Sequence, residues 1–150
     1  MKTTLFLSLL ALASGALIPV QAASNAALAR TVGGNVPFAA LTLFIVAAVS
    51  TALAVLLSGQ GLPVAKAVGE APWWSFSGGL IVAFYVFTIT FLSPRLGVGN
   101  AIALIVAGQV FSALTIDHFG LLRSLTFSLT PTRLAGASLV VVGVFLALRR

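Results

Sequence analysis

The chain has no cysteine, two acids and one histidine among its 150 residues. Without cysteine there is no disulfide, no thiolate nucleophile and no cysteine-based metal site. Glu70, Asp117 and His118 are too few for an ordinary metal cage, and the two acids are too far apart in sequence to suggest a catalytic carboxylate pair. Nucleophile elbows, phosphate-cradling glycine loops and HExxH patterns are missing as well. Enzyme chemistry is therefore not expected, and neither is a cofactor. Charge of any kind is scarce. It makes up 7% of the residues, against about 25% in soluble domains, which excludes an ordinary soluble fold. The net charge of +6 comes from residues placed one or two at a time. With no basic stripe, nucleic acid is not expected as a partner. These residues read instead as interfacial anchors on membrane lipid headgroups.

What the chain has in quantity is apolar sequence, 60% of the total. It is gathered into five segments, Thr4–Ala29, Val36–Ser58, Trp73–Ser93, Leu96–Ile116 and Thr132–Leu148. A helix needs about 20 apolar residues to cross a bilayer core, with a range of about 17–25. All five reach it, the last at the lower end. The fold expected is an all-α integral membrane protein, one domain of five transmembrane helices. Counting loops alternately puts Lys2, Lys66, Arg123 and Arg133 on the side of the N-terminus, and Arg30, Arg95, Arg149 and Arg150 on the other. Lys/Arg bias in short loops normally sets orientation, and a balance of four against four gives almost no instruction. A chain able to insert both ways can pair with its own inverted copy, an architecture shared by many secondary transporters.

The first 22 residues imitate a secretory signal peptide, with Lys2, an apolar core and small residues around Ala22. The apolar run continues past that point to Leu28, so a retained first span is expected. That span contains Pro19, which kinks a helix where neighbours re-satisfy the freed carbonyl. Gln21 and Asn25 follow at i, i+4 and share a face. They suit interhelical bonding and cavity lining alike. Gly33-Gly34-Asn35-Val36-Pro37 is a turn, and Gly59–Pro72 is a linker holding a solvated Glu70.

Trp73-Trp74 reads as an interfacial anchor, and Gly78, Gly79 and Ala83 permit close helix approach. Tyr85 and Thr88 share a face, suited to a neighbouring helix or to a cavity. Ser93-Pro94-Arg95 ends the third span, and the fourth begins so soon that a tight hairpin is expected. In the fourth span Gly97, Ala101, Gly108 and Ser112 form a small-residue stripe. Asn100 and Gln109 lie on opposite faces, with Gln109 nearer mid-membrane. Asp117 at the edge of this span is expected to cap the next short helix, pair with Arg123 or carry protons. His118 reads as a plain hydrogen-bonding residue or a relay. Leu121–Thr130 is too short to span and is expected to lie at the interface or re-enter. Gly136 and Gly143, seven residues apart, mark a packing seam suited to a dimer contact.

Taken in order, Gly15–Leu28, Gly78-Gly79 with Ala83-Phe84-Tyr85, Pro94-Arg95-Leu96-Gly97, Ala107-Gly108-Gln109 and Asp117-His118-Phe119-Gly120 resemble the YdcZ-type family of the drug/metabolite transporter superfamily. The last span also resembles the terminal helix of small multidrug transporters, where that pattern mediates subunit contact. The resemblance implies a bacterial inner-membrane protein, a five-helix half-transporter working as an antiparallel (inverted-repeat) homodimer or with an inverted paralogue. It implies an exporter of small molecules or metabolites, with no substrate specified. The membrane-embedded glutamate of the small multidrug transporters has no counterpart here, which argues against proton-coupled export of cationic drugs. Gln21, Asn25, Tyr85 and Gln109 are the expected substrate-binding residues, Asp117 and His118 the candidates for proton coupling, and Gly136 and Gly143 the dimer contacts. A dual-topology pore and a non-transporting accessory subunit are the alternatives.

Overall fold

Backbone groups in hydrocarbon must find partners within their own segment, which makes a helix the open-chain solution for each apolar run. The computed structural model, which describes residues 2–59 and 68–149, carries α1 (Lys2–Thr31), α2 (Val36–Leu57), α3 (Ser77–Leu96), α4 (Val98–Phe119) and α5 (Pro131–Leu148). Short 3-10 turns lie at Trp73–Phe76 and Leu121–Arg123. Among the described residues five helices, counting the Trp73 turn with α3, are long and apolar enough to cross a membrane. The centre of the Gly59–Pro72 linker, with Gly61, Pro63 and Lys66, lies outside the described residues, as does Arg150. The chain forms two compact units, Met1–Pro94 and Arg95–Arg150.

In the first unit α1 runs unbroken through Pro19. Gly33 and Gly34, at φ 74° and 84°, turn the chain with a left-handed backbone that side chains disfavour. Asn35 then caps α2 by accepting from the Phe38 N–H at 3.0 Å, with Pro37 in the first turn where its missing N–H costs nothing. α1 packs against α2. Ala22, Ala26 and Ala29 recur at i, i+4 and i+7, so they form one stripe, and they are buried along with Ala39 and Ala40 at the start of α2. Small side chains allow helix backbones to approach closely. Several hydroxyls in the spans are satisfied locally: Ser14, Thr42, Ser50 and Thr51 each donate to the carbonyl four residues back. Trp73 is 83% exposed, as a side chain at a lipid–water boundary should be.

One expected boundary is corrected. The third helix does not stop at Ser93-Pro94 but continues through Pro94 to Leu96. A proline so close to the end of a helix removes only the bond to the Thr90 carbonyl, and the break falls instead at Gly97, where φ is 83°. Gly97 alone separates α3 from α4.

In the second unit α4 packs against α5. Gly120 ends α4 in the left-handed conformation, with φ 58° and ψ 33°. Leu122 and Arg123 repeat that conformation at φ 56° and 61°, which costs a side-chain-bearing residue about 1–2 kcal/mol each. Residues 124–130 contain no helix. They form a strap folded back on the end of α4, tied by the Phe127 N–H to the Asp117 carbonyl at 2.9 Å. Thr130 then caps α5 by accepting from the Arg133 N–H.

The turn at Gly120 depends on glycine twice, through its positive φ and because an added Cβ would lie 2.8 Å from Thr126 Oγ1. Gly120→Ala is expected to lower stability by about 1–3 kcal/mol. Equilibrium unfolding of purified protein in detergent checks this, and an unchanged midpoint would contradict the geometry.

Candidate functional site

The first unit buries a polar cluster. Asn25 Nδ2 on α1 donates to Thr90 Oγ1 on α3 at 2.5 Å, and the two residues are 4% and 1% exposed. Ser93, one turn beyond Thr90, is also buried and donates to the Ile89 carbonyl at 2.6 Å. Val86 and Ile89 complete the apolar wall. Asn25 lies five residues before Arg30, and Thr90 lies five before Arg95. At 1.5 Å per residue each is about 8 Å inside its arginine, so the bonded pair meets at one depth.

Gln21 sits one turn deeper on α1, nine residues before Arg30. That places it about 14 Å from the arginine level, close to the middle of a core about 30 Å thick. Its Nε2 is buried and, among the described residues, has no hydrogen-bond partner. An unpaired amide N–H in hydrocarbon costs several kcal/mol, so this donor stands apart from the locally satisfied hydroxyls around it. Tyr85, on α3, is half-buried and ten residues before Arg95, also near mid-span. Among the described residues no hydrogen bond to its hydroxyl is formed.

Gln109 belongs to the second unit, halfway along α4 and exposed. Asn100, which the sequence marked as the other amide of this helix, donates to the Leu96 carbonyl at 3.0 Å. The structure thus joins Asn25 to Thr90, leaves Gln21 beside them without a partner, and carries Gln109 on the separate second unit. Gly136 and Gly143 both lie on exposed surface of α5, with open space where a Cβ would stand.

Asp117 pairs with Arg133, not with Arg123 as one sequence reading allowed. Arg133 Nη2 donates to Asp117 Oδ2 at 2.5 Å, and both side chains are about a third exposed. Arg133 Nη1 also donates to the Phe127 carbonyl at 3.2 Å. The reason is the left-handed turn at Leu122 and Arg123, which reverses the chain so that the first turn of α5 comes back to the end of α4. His118 Nδ1 accepts from the Leu129 N–H at 3.3 Å. Among the described residues no group of three His, Cys, Asp or Glu side chains is placed to hold a metal ion.

Sequence reasoning missed Thr90 and Ser93. Two signals point to them: their spacing of three, which shares one face of α3, and the match between Asn25–Arg30 and Thr90–Arg95 once both helices run in the same direction.

Five apolar helices with amides inside them define a multi-pass, all-helical membrane protein. The model of the family described as "Putative inner membrane exporter, YdcZ" matches residues 6–146, and the chain belongs to that family, as the ordered motifs indicated. Inner membrane protein YdcZ of Escherichia coli (strain K12) is 34% identical over 85 residues, 55% of each chain. The match therefore spans about half the length of that curated relative. No solved structure matches the chain.

If the Asn25–Thr90 bond holds α1 to α3, Asn25→Leu and Thr90→Val are each expected to cost about 1–2 kcal/mol by leaving a buried polar group alone. The double variant should cost less than their sum by about 1 kcal/mol. A double-mutant cycle on unfolding free energies reads this directly, and strict additivity would remove the bond from the account.

Proposed function

We propose that the chain is half of a small-solute exporter, working as an antiparallel pair with a second copy of itself or with an inverted paralogue. Gln21, Asn25, Tyr85 and Gln109 line its pathway, Asp117 and His118 stand at the rim as coupling groups, and the Gly136–Gly143 face of α5 meets the partner. Family membership supports export from the inner membrane. The observation that carries the site is the buried, unpartnered Nε2 of Gln21 near mid-span. An amide kept in hydrocarbon without a partner is a donor held for something that arrives, a solute or a second chain. Asn25 is held by Thr90 and orients the same face of α1.

The chemistry available narrows the solute. The pathway residues are neutral amides and a phenol, and the one acid beside a span, Asp117, is neutralised by Arg133. A solute bearing hydrogen-bond acceptors fits these groups. An isolated organic cation would find no counter-charge in the spans.

Gln21→Ala and Gln109→Leu are expected to reduce efflux of the solute that wild type exports by at least about tenfold, at unchanged expression and oligomeric size. Everted vesicles or proteoliposomes give the rates. Wild-type flux in either variant would take that residue out of the pathway.

A further inference from the structure

The end of α4 holds an imidazole in a bond that only one of its protonation states can make. A backbone N–H can only donate, so the Leu129 N–H to His118 Nδ1 contact requires a lone pair on Nδ1. The ring proton then sits on Nε2. An imidazolium carries N–H groups on both nitrogens, and its Nδ1–H would oppose the Leu129 N–H. Leu129 and His118 also line a cleft of about 310 Å³ between α4 and α5, with Phe111, Leu114, Leu134 and Ala137 among its walls. The hydroxyls of Thr115 and Ser138 in that cleft donate to carbonyls of their own helices, so among its described lining side chains His118 is the polar one bonded to the strap instead.

We propose that His118 is a proton-binding site that latches the strap over this cleft. The neutral ring holds Leu129 against the end of α4. A proton taken from water onto Nδ1 breaks that bond and frees Ser128 and Leu129, while Thr130 stays fixed as the cap of α5. The rest of the strap keeps two ties that do not involve the imidazole, Phe127 N–H to the Asp117 carbonyl and Arg133 Nη1 to the Phe127 carbonyl. Release is therefore local, and it moves Leu129 away from the wall of the cleft without unfolding the turn.

The charged groups around the ring are Asp117 on its own helix, Arg123 on the 3-10 turn and Arg133 on α5; the strap itself, 124–130, contributes none. Asp117 and Arg133 neutralise each other, and Arg123 adds one positive charge. The sign follows from the bond. The latch is made while the ring is neutral, at higher pH, and is lost as pH falls and the ring takes its proton. It stands whether or not the chain exports anything.

The chain has no cysteine of its own, so Ser128→Cys gives a single site for a nitroxide label on the full-length protein in lipid nanodiscs. The mobile fraction of its spectrum is expected to rise several-fold between pH 8 and pH 5. In His118→Phe, which cannot accept, the label should be mobile at both pH values. In His118→Gln, which cannot titrate in this range, mobility should not depend on pH, and this variant carries the test if His118→Phe fails to purify as a single species. Asp117→Asn should keep the pH response. A label that does not change in the wild-type background, a response that survives in His118→Gln, or a response abolished by Asp117→Asn would each overturn the latch.

Discussion

Hydrocarbon offers no hydrogen bonds, and most of this molecule is arranged around that fact. Each apolar run becomes a helix because no other open-chain backbone satisfies its own N–H and C=O groups. Many serines and threonines in the spans turn back onto carbonyls of their own helices. Asn25 finds Thr90 on another helix. The one acid beside a span is placed at the rim, opposite an arginine. Against that background Gln21 Nε2, a buried side-chain donor with no partner among the described residues, stands out, and buried polar groups of this kind are where a membrane protein keeps its function.

The same solvent explains the exposed surfaces. Leucine, valine and phenylalanine side chains face outward along every span, a cost in water and no cost in lipid. Among the described residues, burial is confined to alanines, a few β-branched residues and the polar cluster. Lipid tails are as apolar as leucine, so helix association rests on close approach and polar contacts. The exposed glycines of α5, with open space above them, suit such an approach by a second chain. In the account proposed here that chain is inverted, and it completes a pathway of which Gln21 and Gln109 supply parts.

How much of this was legible in the sequence depends on the range of the forces involved. Hydropathy adds up along the chain, so the five spans were readable to within a few residues at most ends. The caps of α2 and α5 at Asn35 and Thr130 were not read from the sequence, although both rest on local chemistry. The end of α3 was misread because Pro94 looks like a terminator, while the actual break needed the positive φ of Gly97. Contacts between distant residues were harder. Pairing with Arg123, close by in sequence, was one of the roles open to Asp117, but the left-handed turn at Leu122 and Arg123 delivers Arg133 instead. Asn25 was read as a candidate for pairing, yet its partner Thr90 looked like one more helix hydroxyl. Nothing local distinguishes a threonine that bonds backwards from one that receives a bond 65 residues away.

The proposed pairing rests on the even division of Lys and Arg between the two sides, four against four, and the location of the C-terminus tests it most directly. Two reporters fused after Arg150 would read it, one active only in the cytoplasm and the other only in the periplasm. The account predicts strong signal from both, because the chain inserts in both orientations and supplies its own inverted partner. Signal from one reporter alone, with no oppositely oriented paralogue co-purifying, would contradict the inverted pair.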